Sequence, residues 1–585
     1  MVQDKICNHR CKHCFLILKM NCNMKTKDRN NKNRSFQLVI ASMIALMIMA
    51  FGQSCTDLNE ELFSEVTPDN FFKSEKEFVS ALGAAYTSFG GYAMGDIHHV
   101  NEVTTDEMVV PTRGSDWDDG GTWRRLHLHA WKFEDDFMGG PWDFCFGGVN
   151  TANRLIYQFT TLVESGQVTQ AAADAFIAEL QTVRGFFYWH LIDMYGNVPI
   201  VTDFNSGEAA PATKQRAEVY NFVVGDLEAS VPKLSKAVDG TTYGRMNYYA
   251  GKMLLAKLYL NAGVYTGTPQ WDKVIAACDD IINNGPYSLE SNYFTNFNVN
   301  NSGSKEFIFA IPYDQIFFTG FNMNMSTLHY GSQYTYNLTS QPWNGFCTLE
   351  QFYNSYEATD LRKGDVGTIT APAAKRGNFL AGYQYTSGGV KVMDDGADAA
   401  DPDGKPLNFG NIGSTAGQIN ELGPQCWRQS GVRIGKWEFQ MGGTPDMSND
   451  YSVFRYADVL LMKAEALWRK SGSATDAAAL ALVNQIRTRA GLTGLASLNG
   501  KLSFDLAGPV VNGGELFNER GREMFGEHYR RQDLIRWGFW SSNAKWTLLY
   551  KNPGDVIKSD PYLSLFPINR TKLAANPNLV QNPGY

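Results

Sequence analysis

The side chains best suited to chemistry in this chain are flat aromatic rings set among amides and acids. Trp117 lies between Asp116 and Asp118, Trp123 is followed by Arg124 and Arg125, and Trp343 precedes Asn344, with Tyr330, Tyr334 and Tyr336 shortly upstream. Trp117, Trp123, Trp131 and Trp142 fall close together, and no tryptophan precedes them. This mixture suits a sugar. A pyranose ring has an apolar face of C–H bonds and a rim of hydroxyls, so an aromatic ring stacks on the face while Asn, Asp, Gln and Arg bond the rim. Trp117, Trp123, Tyr330, Tyr334, Trp343 and Asn344 are therefore the candidate glycan-binding residues. The competing reading is that each tryptophan fills the core of its own loop. Trp142 is spaced from Asn150, Asn153 and Ile156 as on a packed helix, and Trp189, Trp468 and Trp537 lie in helical blocks, so these four are assigned to packing.

Other chemistries find less support. Glu519, Arg520, Glu523, Glu527, Arg530, Arg531, Asp533 and Arg536 could suggest acid–base work. The repeat from Glu519 to Glu523 to Glu527 predicts one helix face carrying an ion-pair lattice, a structural arrangement. Arg184 and Asp458 are read the same way, as ties between helices. A glycosidase needs two carboxylates flanking the scissile bond, and no local motif marks such a pair. His98-His99 and His127-x-His129 lack a Cys or His partner at standard spacing, so structural or solvent-facing roles are expected and no metal is assigned. The acidic run Asp394, Asp395, Asp398, Asp401 and Asp403 lacks calcium-loop register. No HExxH, Walker A or nucleophile-elbow sequence occurs, and no cofactor is expected.

The elements that must carry the aromatic residues are mostly helices. Ser74 and Glu77 form a capping box ahead of Phe78, Ala81, Leu82, Ala85, Tyr86 and Phe89, with a stop at Gly90-Gly91. Further helices are predicted at about 171–195, 248–261 and 271–283, then through Tyr456 to Leu467. Another follows, capped by Ser473 with Asp476 and running to Gly491. They come in pairs with small residues on their contact faces, as stacked helical hairpins do. Helical period disappears over about 92–140 and 286–450, where Gly, Asn, Asp, Ser, Thr and aromatics dominate and Glu306–Ile311 is a strand candidate. Loops this long are usually functional. The fold class is mainly α, a scaffold of tetratricopeptide-like helix pairs with long, irregular, partly β insertions.

The start of the chain sets its destination. A basic stretch from Lys25 to Arg34 precedes the uncharged apolar run Phe36–Phe51, and Gly52-Gln53-Ser54 lead to Cys55. The run is short for a membrane span, which needs about 20 residues, and reads as a secretory signal. The arrangement resembles a bacterial lipoprotein signal with Cys55 as the acylated mature N-terminus, although Gly52 and Gln53 depart from the commonest lipobox. The alternative is an unmodified cysteine beside a cleaved signal. Several acyl chains, at about 0.8 kcal/mol per buried CH₂, would hold the protein on a membrane. Thr56–Glu61 resembles a surface-export tag. Cys7-x3-Cys11-x2-Cys14 matches an iron–sulfur spacing, but it lies upstream of the signal and is better explained by translation starting at Met20 or Met24. Cys145, Cys278, Cys347 and Cys426 are too few for a disulfide framework.

Several blocks together resemble the SusD/RagB-like family of outer-membrane, glycan-binding lipoproteins. They are Arg184–Leu191 through Tyr195-Gly196-Asn197-Val198-Pro199, Leu254–Leu260, Arg455–Leu461 with Ala464-Glu465-Ala466, and Asn484-x-x-Arg487-x-Arg489-Ala490-Gly491. Glu519-Arg520-x-x-Glu523, Asp533-Leu534-x-Arg536-Trp537 and the closing Gln581–Tyr585 complete the set. The resemblance implies four tetratricopeptide-like helix pairs and a signal region 1–54. It also implies one domain over 55–585, with an N-terminal part 55–330 and a C-terminal part 331–585. It implies a surface-exposed, lipid-anchored, non-catalytic protein of the outer membrane that captures oligo- or polysaccharide and passes it to a SusC-like TonB-dependent transporter. It also places the glycan site in the two long insertions. A surface glycoside hydrolase and a helical-repeat scaffold for protein interaction remain the alternatives. With 52 basic and 60 acidic side chains the net charge is −8, the wrong sign for a general nucleic-acid binder.

Overall fold

The helical periods become a continuous stack. In a computed structural model that describes residues 75–113, 116–205, 210–364, 376–394, 405–409, 427–540, 558 and 560–585, the long helices are α1 (Glu75–Tyr86), α3 (Gly140–Glu164), α4 (Gln170–Met194), α5 (Arg216–Ser230), α6 (Tyr248–Leu260), α7 (Trp271–Asn284), α8 (Tyr456–Ser471), α9 (Ala477–Arg489) and α10 (Gly514–Met524). The shorter α2 (Asp96–Glu102) lies in the first insertion and α11 (Arg530–Arg536) follows α10. Helices α3 to α9 pack on one another in chain order. The second insertion therefore leaves and rejoins the scaffold between two neighbours, α7 and α8. Phe71–Tyr585 form one compact unit. The signal segment, Cys55, Ser74 and Cys426 lie outside the described residues. Among the described residues no helix is long and apolar enough to cross a membrane.

Local chemistry accounts for the helix boundaries. Thr169 and Asn247 cap α4 and α6 by accepting hydrogen bonds from Ala172 N and Ala250 N. Asp476, rather than Ser473, is the N-cap of α9, its carboxylate accepting from Ala479 N at 2.9 Å. The four aromatic residues Phe186–Trp189 are all buried on α4. Gly148 on α3 lets that face come close, since a Cβ there would lie 2.2 Å from the Phe187 ring. The predicted strand forms as β1 (Phe307–Ile311), paired antiparallel with β2 (Tyr451–Arg455), so both ends of the second insertion are clamped together. The regions without helical period contain short helices that the sequence pattern does not reveal, α2 and Thr122–His127 among them.

The charged block folds differently from the single helix face that its spacing predicts. Helix α10 ends at Met524; Gly526 and His528 then take φ of 72° and 69°, so Glu527 leaves the row of Glu519 and Glu523. The cations come from distant segments, and the whole lattice is buried. Arg455 meets Glu523 at 2.5 Å, Glu527 at 2.8 Å and Glu306 at 3.3 Å. Arg362 reaches Asp360, Glu519 and Glu523 at 2.8, 2.7 and 3.0 Å. Arg489 bridges Glu306 and Glu523, while Lys436 holds Glu527 at 2.5 Å. A second group ties α8 to α10 and α11: Arg520 contacts Asp458 and Asp533 at 3.0 Å, and Arg536 contacts Glu465 at 2.7 Å. As expected, Arg184 ties helices too, reaching Asp226 on α5 at 2.7 Å.

Removing one partner from such a lattice leaves a buried charge without compensation, which costs about 3–5 kcal/mol. Arg455→Met should lower unfolding stability by that amount in urea titration, whereas Lys214→Met, which breaks an exposed i,i+4 pair with Glu218, should change it by less than about 1 kcal/mol. Burial alone would raise the Glu519 carboxyl, but Arg362 and Arg522 outweigh it and hold the group at about 2. The same competition puts Glu523 and Glu465 well below the carboxylate range. These folded-state values are depressed, so their stabilisation is complete above the unfolded glutamate value of about 4.3. It is lost as pH falls from there through about 2. Thermal unfolding between pH 7 and pH 3 should show a plateau followed by a steep decline below about pH 4.5.

Candidate functional site

Two buried arginines assemble the site from three separated loops. Arg113, in the first insertion, donates from Nε to Asn344 O at 3.0 Å and from Nη1 to Trp427 O at 2.6 Å and Arg428 O at 3.2 Å. Arg433 donates to Asn344 Oδ1 at 2.7 Å and to Ser430 O, Gly431 O and Arg428 O. Guanidinium groups suit this work because they present five donors in a fixed plane. The strands Met108–Val109 and Cys347–Thr348 pair just beneath, joining the first insertion to the second. Cys347 sits against Arg113; burial raises its thiol while both arginines pull it back.

On this base the loops present aromatic rings. Trp117 has φ of 59° and donates from Nε1 to Trp343 O at 2.6 Å. Its ring lies on Gly345, where a Cβ would stand 2.5 Å from Trp117 Cζ2, so only glycine fits beneath it. Trp343 is held through its backbone N–H to Met325 O at 2.7 Å and leaves 44% of its surface in solvent. Tyr330 donates its hydroxyl to Asp116 and lies under the Arg428 guanidinium, 5.7 Å from the ring centroid. Burial and the Asp116 carboxylate push the Tyr330 phenol up to about 12, so it stays a neutral donor. Asp116 and Asp118 are exposed beside Trp117, as rim groups would be.

The six candidate residues take different positions. Trp117, Trp343 and Tyr330 come together as described. Tyr334 is 63% exposed on the short helix Ser332–Tyr336, and its carbonyl accepts from Ser387 N at 3.0 Å; it makes no ring contact among the described residues. Trp123 and Asn344 do not present surfaces for stacking or rim contact. Trp123 is 5% exposed, with Nε1 on Asp119 at 2.6 Å and its ring edge-on to Trp117, Phe346, Phe137 and His99. Asn344 is fully buried at φ of 59°, its amide donating to Arg428 O at 2.9 Å while its oxygen accepts from Arg433. Both hold the surface residues from behind. Arg113, Arg428 and Arg433 were missed in the sequence because their partners lie some 90 to 300 residues away and no local spacing marks them. Trp142 is buried on α3 against Tyr195, and Trp189, Trp468 and Trp537 pack in helical blocks, as expected.

The chain resembles known proteins in sequence and in fold. Residues 305–585 match the sequence model of the SusD family, and residues 143–253 match the one described as starch-binding associating with outer membrane. The starch-binding protein SusD of Bacteroides thetaiotaomicron is 25% identical over 440 residues, spanning 70% of this chain and 72% of that protein. A SusD-like protein of Bacteroides ovatus is 22% identical over 514 residues, 86% of this chain and 82% of its own. Among solved structures, a SusD superfamily protein from Parabacteroides distasonis has a TM-score of 0.65 at 20% identity, covering 88% of this chain and all of that one. The surface glycan-binding protein A of Bacteroides thetaiotaomicron, solved with laminarihexaose, has a TM-score of 0.63 at 19% identity, covering 87% and 99%. At these identities the structural likeness is one of fold. With its sequence matched by these two models, the chain belongs to the SusD family.

Proposed function

We propose that this protein is a non-catalytic glycan receptor, lipid-anchored at the outer-membrane surface, which captures oligo- or polysaccharide and delivers it to a SusC-like TonB-dependent transporter. The observation that carries the binding role is the aromatic surface of Trp343, Trp117 and Tyr330, with Tyr334 beyond, rimmed by Asp116, Asp118 and Arg428. Stacking platforms and rim groups of this kind recognise sugar faces and hydroxyls. Relatives named for starch or laminarin binding support a glycan as ligand, and ring stacking tolerates many glycans, so they do not select one. Asp116 is engaged by Tyr330, which suits a fixed hydrogen-bonding group better than a proton shuttle. Anchoring rests on Cys55 as the acylated mature N-terminus of a single domain over 55–585. The transporter role rests on family membership.

Affinity gels or calorimetry with a glycan panel test the binding surface. Trp343→Ala should weaken binding of the recognised glycan by about tenfold, or ~1.4 kcal/mol, and Trp117→Ala by at least as much. Trp123→Phe should lower the melting temperature but leave the affinity of the folded protein near the parent value, and no product should be released from any glycan. Unchanged affinity in both alanine variants would put the glycan elsewhere on the protein. For the anchor, Cys55→Ala should move the protein out of the membrane fraction on cell fractionation; retention there would show a different means of attachment.

A further inference from the structure

Helix α2 carries His98 and Glu102 one turn apart, so both side chains lie on one face. That face is turned inward toward His528, at the turn between α10 and α11. All three residues are buried, at 0, 0 and 1% exposure, and one nitrogen or oxygen from each lies within 4.8 Å of the others. His98 Nδ1 and His528 Nε2 share a hydrogen bond of 2.8 Å, and Glu102 Oε1 accepts from His528 N at 2.7 Å. His98 Nε2 has no hydrogen-bond partner among the described residues, while His528 also meets the backbone of Ala93 and Glu102 the carboxyl of Glu107. His528 also holds φ of 69°, a conformation disfavoured for a side chain with a Cβ. The rings of Tyr92 and Tyr451 pack against His528 and that of Phe346 against His98, giving the cluster an apolar wall.

We propose that His98, Glu102 and His528 form a structural site for a divalent transition-metal ion, with zinc as the best fit. Two imidazoles and a carboxylate make a borderline donor set that suits zinc over the oxygen-seeking calcium and magnesium. Ligand bonds of about 2.0–2.2 Å at tetrahedral angles put donor atoms ~3.3 Å apart, so the His98–His528 contact opens only slightly on binding. Both imidazoles would bind as neutral donors through these facing nitrogens, the single proton shared between them moving to the outer nitrogen of the ring that carried it. The ion would fasten α2 to the turn that leaves α10. The site lies in the core, apart from the aromatic surface, and its existence does not depend on the identity of the glycan.

The test uses the full mature protein expressed in zinc-supplemented medium and desalted, with elemental analysis, and the same protein produced with cobalt for visible spectroscopy. The parent should retain about one zinc per chain and show the intense d–d bands of four-coordinate cobalt. His98→Gln and His528→Asn, the latter chosen because asparagine tolerates positive φ, should each retain less than about a tenth of that metal. His190→Gln alters a neighbouring buried histidine outside the trio and should leave metal content unchanged. A folded parent containing neither metal would overturn the proposal, as would full metal retention in both trio variants. Should those variants fail to fold, the parent's metal content and cobalt spectrum decide by themselves.

Discussion

Everything in this fold converges on the carboxylate of Glu523. Arg455, Arg489 and Arg362 all reach it, from the end of β2, the end of α9 and the second insertion. Each ion in the lattice would be expensive to bury alone, and the Coulombic gain offsets that cost only when all partners are in place. The lattice is therefore cooperative: the two ends of the second insertion, the C-terminal helices and the helix stack must meet together or not at all. This is a stronger constraint than the apolar contacts impose, because apolar packing tolerates small shifts and buried ion pairs do not.

From the lattice the constraint passes outward to the proposed binding surface. Lys436 is fixed by Glu527 and by the carbonyl of Phe525, which it meets at 2.7 Å. Three residues earlier, Arg433 bonds Asn344, and Asn344 with Arg113 pins the 427–430 turn carrying Arg428. Trp117 then rests on Gly345 and bonds the Trp343 carbonyl. A loop surface built this way has its ordering entropy settled before ligand arrives, so ring stacking and rim contacts appear as affinity rather than being spent on ordering.

The helices were legible because period and caps are local: the ends of α4, α6 and α7 fall within a residue or two of their sequence estimates. The insertions were legible only as places where period stops. Helix α2 has seven residues, too few for a period, and its sequence Asp-Ile-His-His-Val-Asn-Glu has four charged or imidazole groups, all buried or half-buried. Trp123 and Asn344 show the same limit at the site. A tryptophan beside two arginines and an asparagine after a tryptophan look like surface chemistry, yet Phe346, Phe137 and Arg433 enclose them. Metal ligation by His98 was set aside for want of a nearby partner, and the partner that faces it is 430 residues away.

The first insertion also gives the surface rings a rear wall. Trp117 packs edge-on to Trp123 and to Phe346, at 5.5 and 6.0 Å between centroids. Phe346 in turn stacks on His99 and touches His98, both at 5.7 Å, on α2. An unbroken series of aromatic contacts thus runs from solvent to the core. Close packing transmits displacement because there is no free volume to absorb it. The position of Trp117 consequently depends on the position of α2, and α2 is held from below by the contacts of His98 and Glu102 with His528. A seven-residue helix has too little hydrogen bonding of its own to resist fraying. Its hold on the aromatic surface comes from the strength of those buried contacts, which places the stability of the proposed glycan platform in the core rather than in the loops that display it.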